Sequence, residues 1–295
     1  MSIFLTGSSG FVGKNIVSYF GKQLPINKYK RGSVINIKED VVIHLAGKAH
    51  DLKNTSNIQE YYVVNTELTK TIFDAFLKSD AKVFITLSSV KAVADQVENI
   101  LLEEVIPNPF THYGKSKLLA EKYIFSQQIP EGKRFYILRP CMIHGPGNKG
   151  NLNLLYNLVS KGIPWPLGSY ENARSYLSIE NLCFVIKELI ENENIPSGVY
   201  NVADDVPLST NSIIKLIAET KGKETRILKL SKPIITTFAR FGDLLKLPLN
   251  SERLQKLTES YLVSNAKIKA AIEKPLPISS KLGLLKTLQS FSSNV

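Results

Sequence analysis

Three glycines directly after the first apolar run constrain the fold of this chain more than any other feature. Residues 1–20, MSIFLTGSSGFVGKNIVSYF, predict a short buried strand, a turn that contains Gly7, Gly10 and Gly13, and a helix with apolar residues at helical spacing. A strand–turn–helix unit of this kind presents backbone N–H groups and a helix N-terminus to a phosphate, without side chains in the way. The turn therefore predicts a nucleotide-binding site at the beginning of the chain.

Each glycine has a separate role in such a turn. Gly7 allows the tight turn, Gly10 the close approach of a pyrophosphate, and Gly13 the close packing of the helix on the strand. Phe11 and Val12 begin the predicted helix, so we place them with the three glycines in the predicted cofactor site.

Strands and helices alternate through the next part of the chain. The apolar runs 41–47, 82–89 and 134–140 predict strands, while residues 58–78 and 113–128 have helical patterns. This alternation is typical of parallel βαβ units, so we predict an α/β fold with a doubly wound parallel sheet. In such sheets ligands bind at the carboxyl ends of the strands, where the glycine turn also lies.

The pattern changes after the strand that ends at Pro140, because loops and scattered helices replace the regular alternation. We predict a dinucleotide-binding domain over residues 1–145 and a mostly substrate-binding lobe over residues 146–295. The two are interleaved, because GVYNVAD (198–204) predicts a strand that returns to the main sheet, which residues from about 180 to 205 would complete.

Composition limits the partners of this chain. Its net charge is +11, but the lysines are scattered, which suits small anionic ligands or a solvated surface better than nucleic acid. No apolar run approaches the roughly 20 residues of a membrane helix, and no charged leader precedes an apolar core. Two cysteines fit a reducing compartment and form no zinc cluster. We therefore predict a cytoplasmic protein with no nucleic-acid partner, no membrane partner and no metal.

The end of the second predicted strand bears on the choice of cofactor. NAD-binding proteins usually carry an acidic residue there, which grips the ribose 2′-hydroxyl. Here the strand INKYK (26–30) is followed by Arg31, Gly32 and Ser33, with no carboxylate. Lys30, Arg31 and Ser33 would suit a 2′-phosphate through charge and hydrogen bonds. The sequence favours NADP(H), with NAD as the alternative, and assigns Arg31 to the cofactor site.

The run HYGKSK (112–117) places Tyr113 and Lys117 four residues apart at the start of a predicted helix, on one face. A lysine ammonium beside a phenol is expected to lower the phenol pKa, and such a tyrosine can pass a proton to or from an alcohol or ketone oxygen. Ser88 and Ser89 end the preceding strand, where one hydroxyl could bind the same oxygen. We predict Ser89, Tyr113 and Lys117 as the catalytic residues, with Tyr113 and Lys117 also in contact with the cofactor.

Taken together, these segments resemble an extended short-chain dehydrogenase/reductase of the NAD-dependent epimerase/dehydratase family. The resemblance spans nearly the whole chain and follows the order of the family motifs. It rests on TGSSGFVG (6–13), VVIHLAG (41–47), Asn65, LSSVKA (87–92), YGKSK (113–117), LRPCMIHGPG (138–147) and RSYLSIENL (174–182). It implies a Rossmann domain with a smaller C-terminal substrate lobe, activity on nucleotide-diphosphate sugars and, as is usual for the family, a homodimer.

The same resemblance implies roles for residues that spacing alone does not assign. Ala46 and Gly47, in the HLAG turn, would line the cofactor. Arg174 resembles the arginine that grips the substrate diphosphate, and Asn151 would line the nucleotide pocket. Met142 stands where many relatives have a substrate-contacting Asn.

Two residues of the family motifs are expected to be structural or only partly functional. His144 replaces the usual Tyr, and we expect it to be packed rather than catalytic. Asn65 would order the active site or its own helix.

The resemblance also limits which of the family's reactions this chain is expected to catalyse. Dehydratases of the family carry acidic residues after the serine strand, whereas Val90, Lys91 and Ala92 stand here, so a 4,6-dehydratase is disfavoured. The preferred hypothesis is NADPH-dependent reduction of a UDP-4-keto-6-deoxy-hexosamine in surface-polysaccharide biosynthesis. The alternative is a UDP-glucose or UDP-N-acetylglucosamine 4-epimerase with tightly bound NAD. A non-catalytic NADP(H)-binding sensor is less favoured, because both Tyr113 and Lys117 are present.

Overall fold

The structure is a computed structural model that describes residues 1–49, 57–148, 150–245 and 250–292. Among these residues, six parallel strands form the central sheet in the order β2-β1-β3-β4-β6-β9, and two further pairs of strands, β10-β5 and β7-β8, lie outside it. The strands are β1 (Ile3–Thr6), β2 (Ile26–Lys28), β3 (Val41–His44), β4 (Val83–Leu87), β5 (Ile100–Leu101), β6 (Arg134–Pro140), β7 (Met142–His144), β8 (Tyr176–Ser178), β9 (Gly198–Val202) and β10 (Leu262–Val263).

Helices connect these strands and build the second half of the chain. They are α1 (Phe11–Phe20), α2 (Ile58–Tyr61), α3 (Leu68–Lys78), α4 (His112–Phe125), α5 (Asn151–Ser160), α6 (Ile179–Glu191), α7 (Thr210–Thr220), α8 (Lys232–Leu245), α9 (Ser251–Thr258), α10 (Ala266–Ile272) and α11 (Ser280–Ser292). No helix among the described residues is both long and apolar enough to cross a membrane.

The sheet is buried on both faces, which explains its near-continuous apolar strands. Along β1, β3, β4 and β6, side chains alternate between two apolar clusters. In β1, Ile3 and Leu5 pack in one cluster while Phe4 packs in the other. In β4, Ile85 and Phe84 divide in the same way. The predicted α/β fold with a parallel doubly wound sheet is confirmed by this arrangement.

The strand order places the candidate site. The chain leaves β1 to form β2 on one side, and β3 then pairs with β1 on the other side, so Thr6 lies opposite His44 in register. The carboxyl ends of β1 and β3 therefore meet where the direction of strand order reverses, which is where doubly wound sheets bind ligands.

A third apolar cluster lies apart from the sheet, in the second half of the chain. It is formed by α5, α7, α8, α9 and α11 together with the loop of Trp165 and Leu167. Strand β9 pairs with β6, so the chain returns to the central sheet after α5 and before α7, α8, α9 and α11. The division into domains at residue 145 stays a prediction.

The helical stretch predicted at residues 58–78 is interrupted. Between α2 and α3, residues Tyr62–Glu67 form a π-helical turn. Such turns insert one extra residue per turn and often occur at functional sites. Here Asn65 and Thr66, both buried, lie in the wider turn.

Candidate active site

The glycine turn brings the ends of β1 and β3 into backbone contact. Gly7 has a φ of +71°, and a Cβ on it would lie 2.6 Å from the amide nitrogen of Ala46. A Cβ on Gly13 would lie 2.2 Å from the carbonyl oxygen of Gly7. Both positions therefore require glycine, because any side chain would push β3 or α1 away from the turn.

Gly10 differs from its two neighbours in the turn, because a Cβ on it would approach only the Gly7 carbonyl oxygen, at 3.4 Å. The residue is exposed and is the N-cap of α1, with no side-chain cap and no acidic residue in the first turn of the helix. The N-terminus of α1, with Phe11 and Val12, thus presents uncapped backbone to an anion. These residues fit the pyrophosphate of a dinucleotide.

A chain of buried hydrogen bonds holds the β3 end in place. Thr6 Oγ1 accepts from the amide of Ala46 at 3.1 Å and lies 2.7 Å from His44 Nδ1. His44 Nε2 lies 3.0 Å from Thr69 Oγ1, which itself donates to the Asn65 carbonyl oxygen. Because the Thr69 hydroxyl is used as a donor there, His44 Nε2 carries the proton and Nδ1 accepts from Thr6.

His44, the histidine in this series of hydrogen bonds, is neutral. Burial, followed by the nearby charge of Lys117, lowers the pKa of His44 to about 3. His44 therefore acts as a fixed link between β1, β3 and α3 rather than as an acid or base near neutral pH.

Ser89 and Tyr113 come together at the carboxyl end of β4. Ser89 is buried and caps the short turn that follows β4, accepting from the amide of Lys91 at 3.2 Å. Its side chain also hydrogen-bonds Tyr113. Tyr113 is half-buried, and its ring packs edge-on against Tyr61 with centroids 6.2 Å apart. The structure therefore brings together two of the three predicted catalytic residues.

The pKa of Tyr113 shifts in the direction opposite to the one expected from the sequence. Burial raises it, and this outweighs the hydrogen bond with Ser89, which lowers it. The Lys117 ammonium donates instead to the carbonyl oxygen of Leu87, at 2.8 Å. Because its pKa is raised, Tyr113 is a neutral phenol at neutral pH and can act as a proton donor.

Lys117 lies between the serine strand and the HLAG turn. A Cβ on Gly47 would stand 3.1 Å from Lys117 Nζ, so glycine at this position leaves room for the ammonium. Burial lowers the pKa of Lys117 to about 8, with Glu121 acting in the opposite sense. The Gly47 turn is itself held by Asn65, whose amide bonds the backbone of Lys48 and, at 3.0 Å, Ser116 Oγ.

The two serines at the end of β4 have different partners. Ser88 donates to Glu121, which forms a buried ion pair with Arg139 through three side-chain hydrogen bonds. Ser88 is thus part of an internal polar cluster, whereas Ser89 faces Tyr113. The sequence reasoning did not identify Glu121 or Arg139. A carboxylate four residues after Lys117 on α4 is the signal that was available.

The other predicted cofactor residues lie around the same edge of the sheet. Ala46 and Gly47 follow β3, and Arg31 is exposed just beyond β2, followed by Gly32 at a φ of +85°. Between residues 29 and 35 the sequence has no carboxylate. The side chains that could meet a ribose 2′-substituent at this end are therefore basic or neutral.

The predicted substrate residues are more dispersed. Arg174 is half-buried, and its guanidinium donates to the carbonyl oxygen of Lys256 at 2.5 Å. Met142 in β7 is half-buried against the third apolar cluster. Asn151 begins α5, and its side chain lies outside the described part of the structure. His144 is fully buried and bonds Thr287 Oγ1 at 2.9 Å, a packed position.

Sequence comparisons identify the family of this chain. Residues 3–203 match the profile of the NAD dependent epimerase/dehydratase family. The chain belongs to this family. A UDP-glucose 4-epimerase of Vibrio cholerae is 32% identical over an alignment of 319 positions, gaps included. The alignment covers 98% of this chain and 95% of that protein. A GDP-6-deoxy-D-mannose reductase of Pseudomonas aeruginosa is 26% identical over 77% of this chain and 82% of that protein.

Solved structures share the fold of this family member. A UDP-glucuronic acid 4-epimerase from Bacillus cereus in complex with NAD matches with a TM-score of 0.74 and 18% identity, covering 99% of each chain. RMD from Pseudomonas aeruginosa complexed with NADPH matches with a TM-score of 0.74 and 21% identity, covering 99% of this chain and 100% of that one. Neighbours of this fold thus bind either NAD or NADPH, and the family acts on nucleotide sugars.

Proposed function

We propose that this protein is a 4-epimerase of a UDP-linked sugar. The observation that supports the proposal is the hydrogen bond between Ser89 and Tyr113, on the helix that also carries Lys117. The UDP-glucose 4-epimerase of Vibrio cholerae supports it, because the similarity covers nearly the full length of both chains.

Each of the predicted site residues would have its own role in the reaction at the sugar 4-oxygen. Ser89 would donate a hydrogen bond to that oxygen, and Tyr113 would hold or move its proton. Lys117 would hold the ribose next to the nicotinamide, and its positive charge would favour loss of a proton from neighbouring groups. When bound, the nicotinamide cofactor supplies reversible hydride chemistry at C4. Arg174 would bind the substrate diphosphate through its planar fork of donors.

The second candidate is reduction of a UDP-linked 4-keto sugar by NADPH. Two observations favour it. Tyr113 is a neutral phenol, which is the form that donates a proton to a carbonyl oxygen during reduction. The basic segment after β2, with Lys30 and Arg31, suits the 2′-phosphate of NADP(H).

The cofactor preference is compatible with either reaction. Epimerisation returns the substrate to its original oxidation level, so NAD and NADP serve it equally. We propose that NADP(H) is preferred because Lys30, Arg31 and Ser33 follow β2. In a thermal-shift titration, Arg31→Ser should reduce the stabilisation by NADP more than the stabilisation by NAD. An equal loss of stabilisation with NADP and with NAD would contradict this proposal.

One assay separates the two reactions. The purified protein is incubated with UDP-glucose or UDP-N-acetylglucosamine, with and without added NAD or NADP, and the products are resolved by proton NMR. An epimerase forms the C4 epimer under these conditions. A reductase leaves these sugars unchanged and instead consumes NADPH when a UDP-4-keto-6-deoxy sugar is supplied. Absence of both activities would contradict both candidates.

A further inference from the structure

The residues that follow β4 fold back on themselves through their own side chains. We call residues 89–95 the serine segment. The hydroxyl oxygen of Ser89 accepts from the amide of Lys91 at 3.2 Å, and the same side chain hydrogen-bonds Tyr113. Further along, the Lys91 ammonium donates to the carbonyl oxygen of Asp95 at 2.5 Å. The beginning and the end of the serine segment are therefore joined by way of Lys91.

The carboxylate of Asp95 holds the beginning of α4. Its Oδ2 accepts from the amides of Phe110 and Thr111, at 2.6 and 3.2 Å, and its Oδ1 accepts from the Thr111 hydroxyl at 3.1 Å. Thr111 is the N-cap of α4, and its hydroxyl oxygen accepts from the amide of Gly114. Asp95 thus fixes the residue that caps the helix, two positions before Tyr113.

These bonds and the first turn of α4 form a closed loop. The loop passes in order through Ser89, Lys91, Asp95, Thr111 and Tyr113, and Tyr113 bonds Ser89. Asp95 belongs to both halves of it, because its carbonyl oxygen bonds the serine segment and its carboxylate bonds the start of α4. One residue therefore connects the two elements that carry the predicted catalytic hydroxyls.

The serine segment is a firm support for the helix. The Lys91 ammonium lies 4.2 Å from the ring centroid of Tyr261, a buried residue that donates to the carbonyl oxygen of Ala94 at 2.7 Å. On the other side, a Cβ on Gly114 would collide with the carbonyl oxygen of Lys91. The segment is thus packed between a buried ring and the first turn of α4.

We propose that Asp95 is a positioning residue for Tyr113, which keeps the phenol hydroxyl beside Ser89 by holding the start of α4 against the serine segment. The inference rests on the proposed function, in which Tyr113 holds or moves the proton of the sugar 4-oxygen. Reacting groups must be held closely by the hydrogen bonds that surround them. A displacement of about 1 Å in such a group can lower the rate by roughly 10²-fold.

Alanine at position 95 tests the role. Asp95→Ala removes three hydrogen bonds from the start of α4 and should lower kcat by roughly 10²-fold with little change in KM. Asp243→Ala is the matched control, because Asp243 accepts from the amide and hydroxyl of Ser251 at the start of α9. That variant should keep its kcat. The rate measured is that of epimerisation or of NADPH-dependent reduction, whichever the wild-type chain shows.

A conservative variant separates positioning from a general loss of structure. Asp95→Asn can remake the three bonds, because an amide oxygen accepts from two amides while its nitrogen donates to the Thr111 hydroxyl. It should retain most of kcat. If Asp95→Ala does not fold, as judged by circular dichroism, Thr111→Val and Thr111→Ser give the same comparison, since only serine keeps the hydroxyl that bonds Asp95.

Several results would overturn the inference. They are equal kcat values for Asp95→Ala and Asp243→Ala, a rise in KM with unchanged kcat, or no recovery in Asp95→Asn. A wild-type chain without either activity would contradict the proposed function instead, and amide hydrogen exchange then decides the inference. Residues 111–117 should exchange at least about tenfold faster in Asp95→Ala than in Asp243→Ala, and equal exchange would overturn it.

Discussion

The two sides of the candidate site are held together in different ways. On the cofactor side, backbone segments touch directly, and the buried side chains of Thr6, His44 and Thr69 form a chain of hydrogen bonds. On the substrate side, helices pack through an apolar cluster, and Arg174 has one described side-chain hydrogen bond, to a backbone carbonyl. The difference suggests a rigid cofactor side that fixes the chemistry and a more adaptable lobe that selects the substrate.

The largest expected effect tests whether the rigid side carries the chemistry. Tyr113→Phe removes the proton donor and should lower kcat by roughly 10³-fold, because positioned proton transfer is worth about 10²–10⁴. Tyr123→Phe is the matched control on the same helix, since its hydroxyl bonds Asp74 away from Ser89. Steady-state kinetics measure both, and similar rates for the two variants would contradict the role of Tyr113.

The next effect tests how strongly the rigid side depends on buried charge. Glu121→Ala leaves Arg139 buried without its carboxylate and should lower the free energy of unfolding by about 3–5 kcal/mol. Glu67→Ala removes an exposed pair with Lys70 and should cost about 0.5 kcal/mol or less. Urea denaturation measures the free energy of unfolding of both variants. Equal decreases would show that the buried pair contributes no more to stability than the exposed pair.

A third experiment concerns the histidine link of the rigid side. The folded-state pKa of His44, about 3, lies below its unfolded value, so the unfolded chain binds the proton first. Stability is therefore lost as pH falls below about 6.5, by roughly 2 kcal/mol at pH 5 for this one group. His44→Gln should lack this part of the pH dependence in chemical denaturation. Parallel pH profiles would mean that His44 titrates normally in the folded state.

The smallest effect concerns the adaptable side. Arg174→Lys keeps the charge but loses the planar fork, so KM for the nucleotide sugar should rise about tenfold with little change in kcat. Arg240→Lys, exposed on α8, serves as the matched control. A fall in kcat with unchanged KM would place Arg174 in the chemistry rather than in substrate binding.

The glycine turn and the apolar strands could be predicted from the sequence, because each is visible as a short local pattern. Glycine at positions 7 and 13 is required by backbone contacts, and the apolar strands are buried on both faces. The π-helical turn could not be predicted in the same way. It contains Asn65, whose amide donates to Ser116 in another helix, and no periodicity within residues 58–78 reveals that contact.

The predicted pKa of Tyr113 was wrong for a related reason. The four-residue spacing to Lys117 is visible in the sequence, but the burial that dominates the shift is a property of the assembled fold. The carbonyl oxygen of Leu87, which binds the ammonium, is contributed by a strand 30 residues earlier. The roles of Met142, Asn151 and Arg174 in substrate binding stay predictions.

The pairing of β9 with β6 has a practical consequence for anyone who wishes to cut the chain into pieces. A fragment that stops near residue 145 would lack its sixth strand and leave the apolar edge of β6 without a neighbour. Uncovered edges of this kind recruit other chains, so such a fragment should precipitate rather than fold by itself. Expression of this fragment alone would require redesign of the exposed edge of β6.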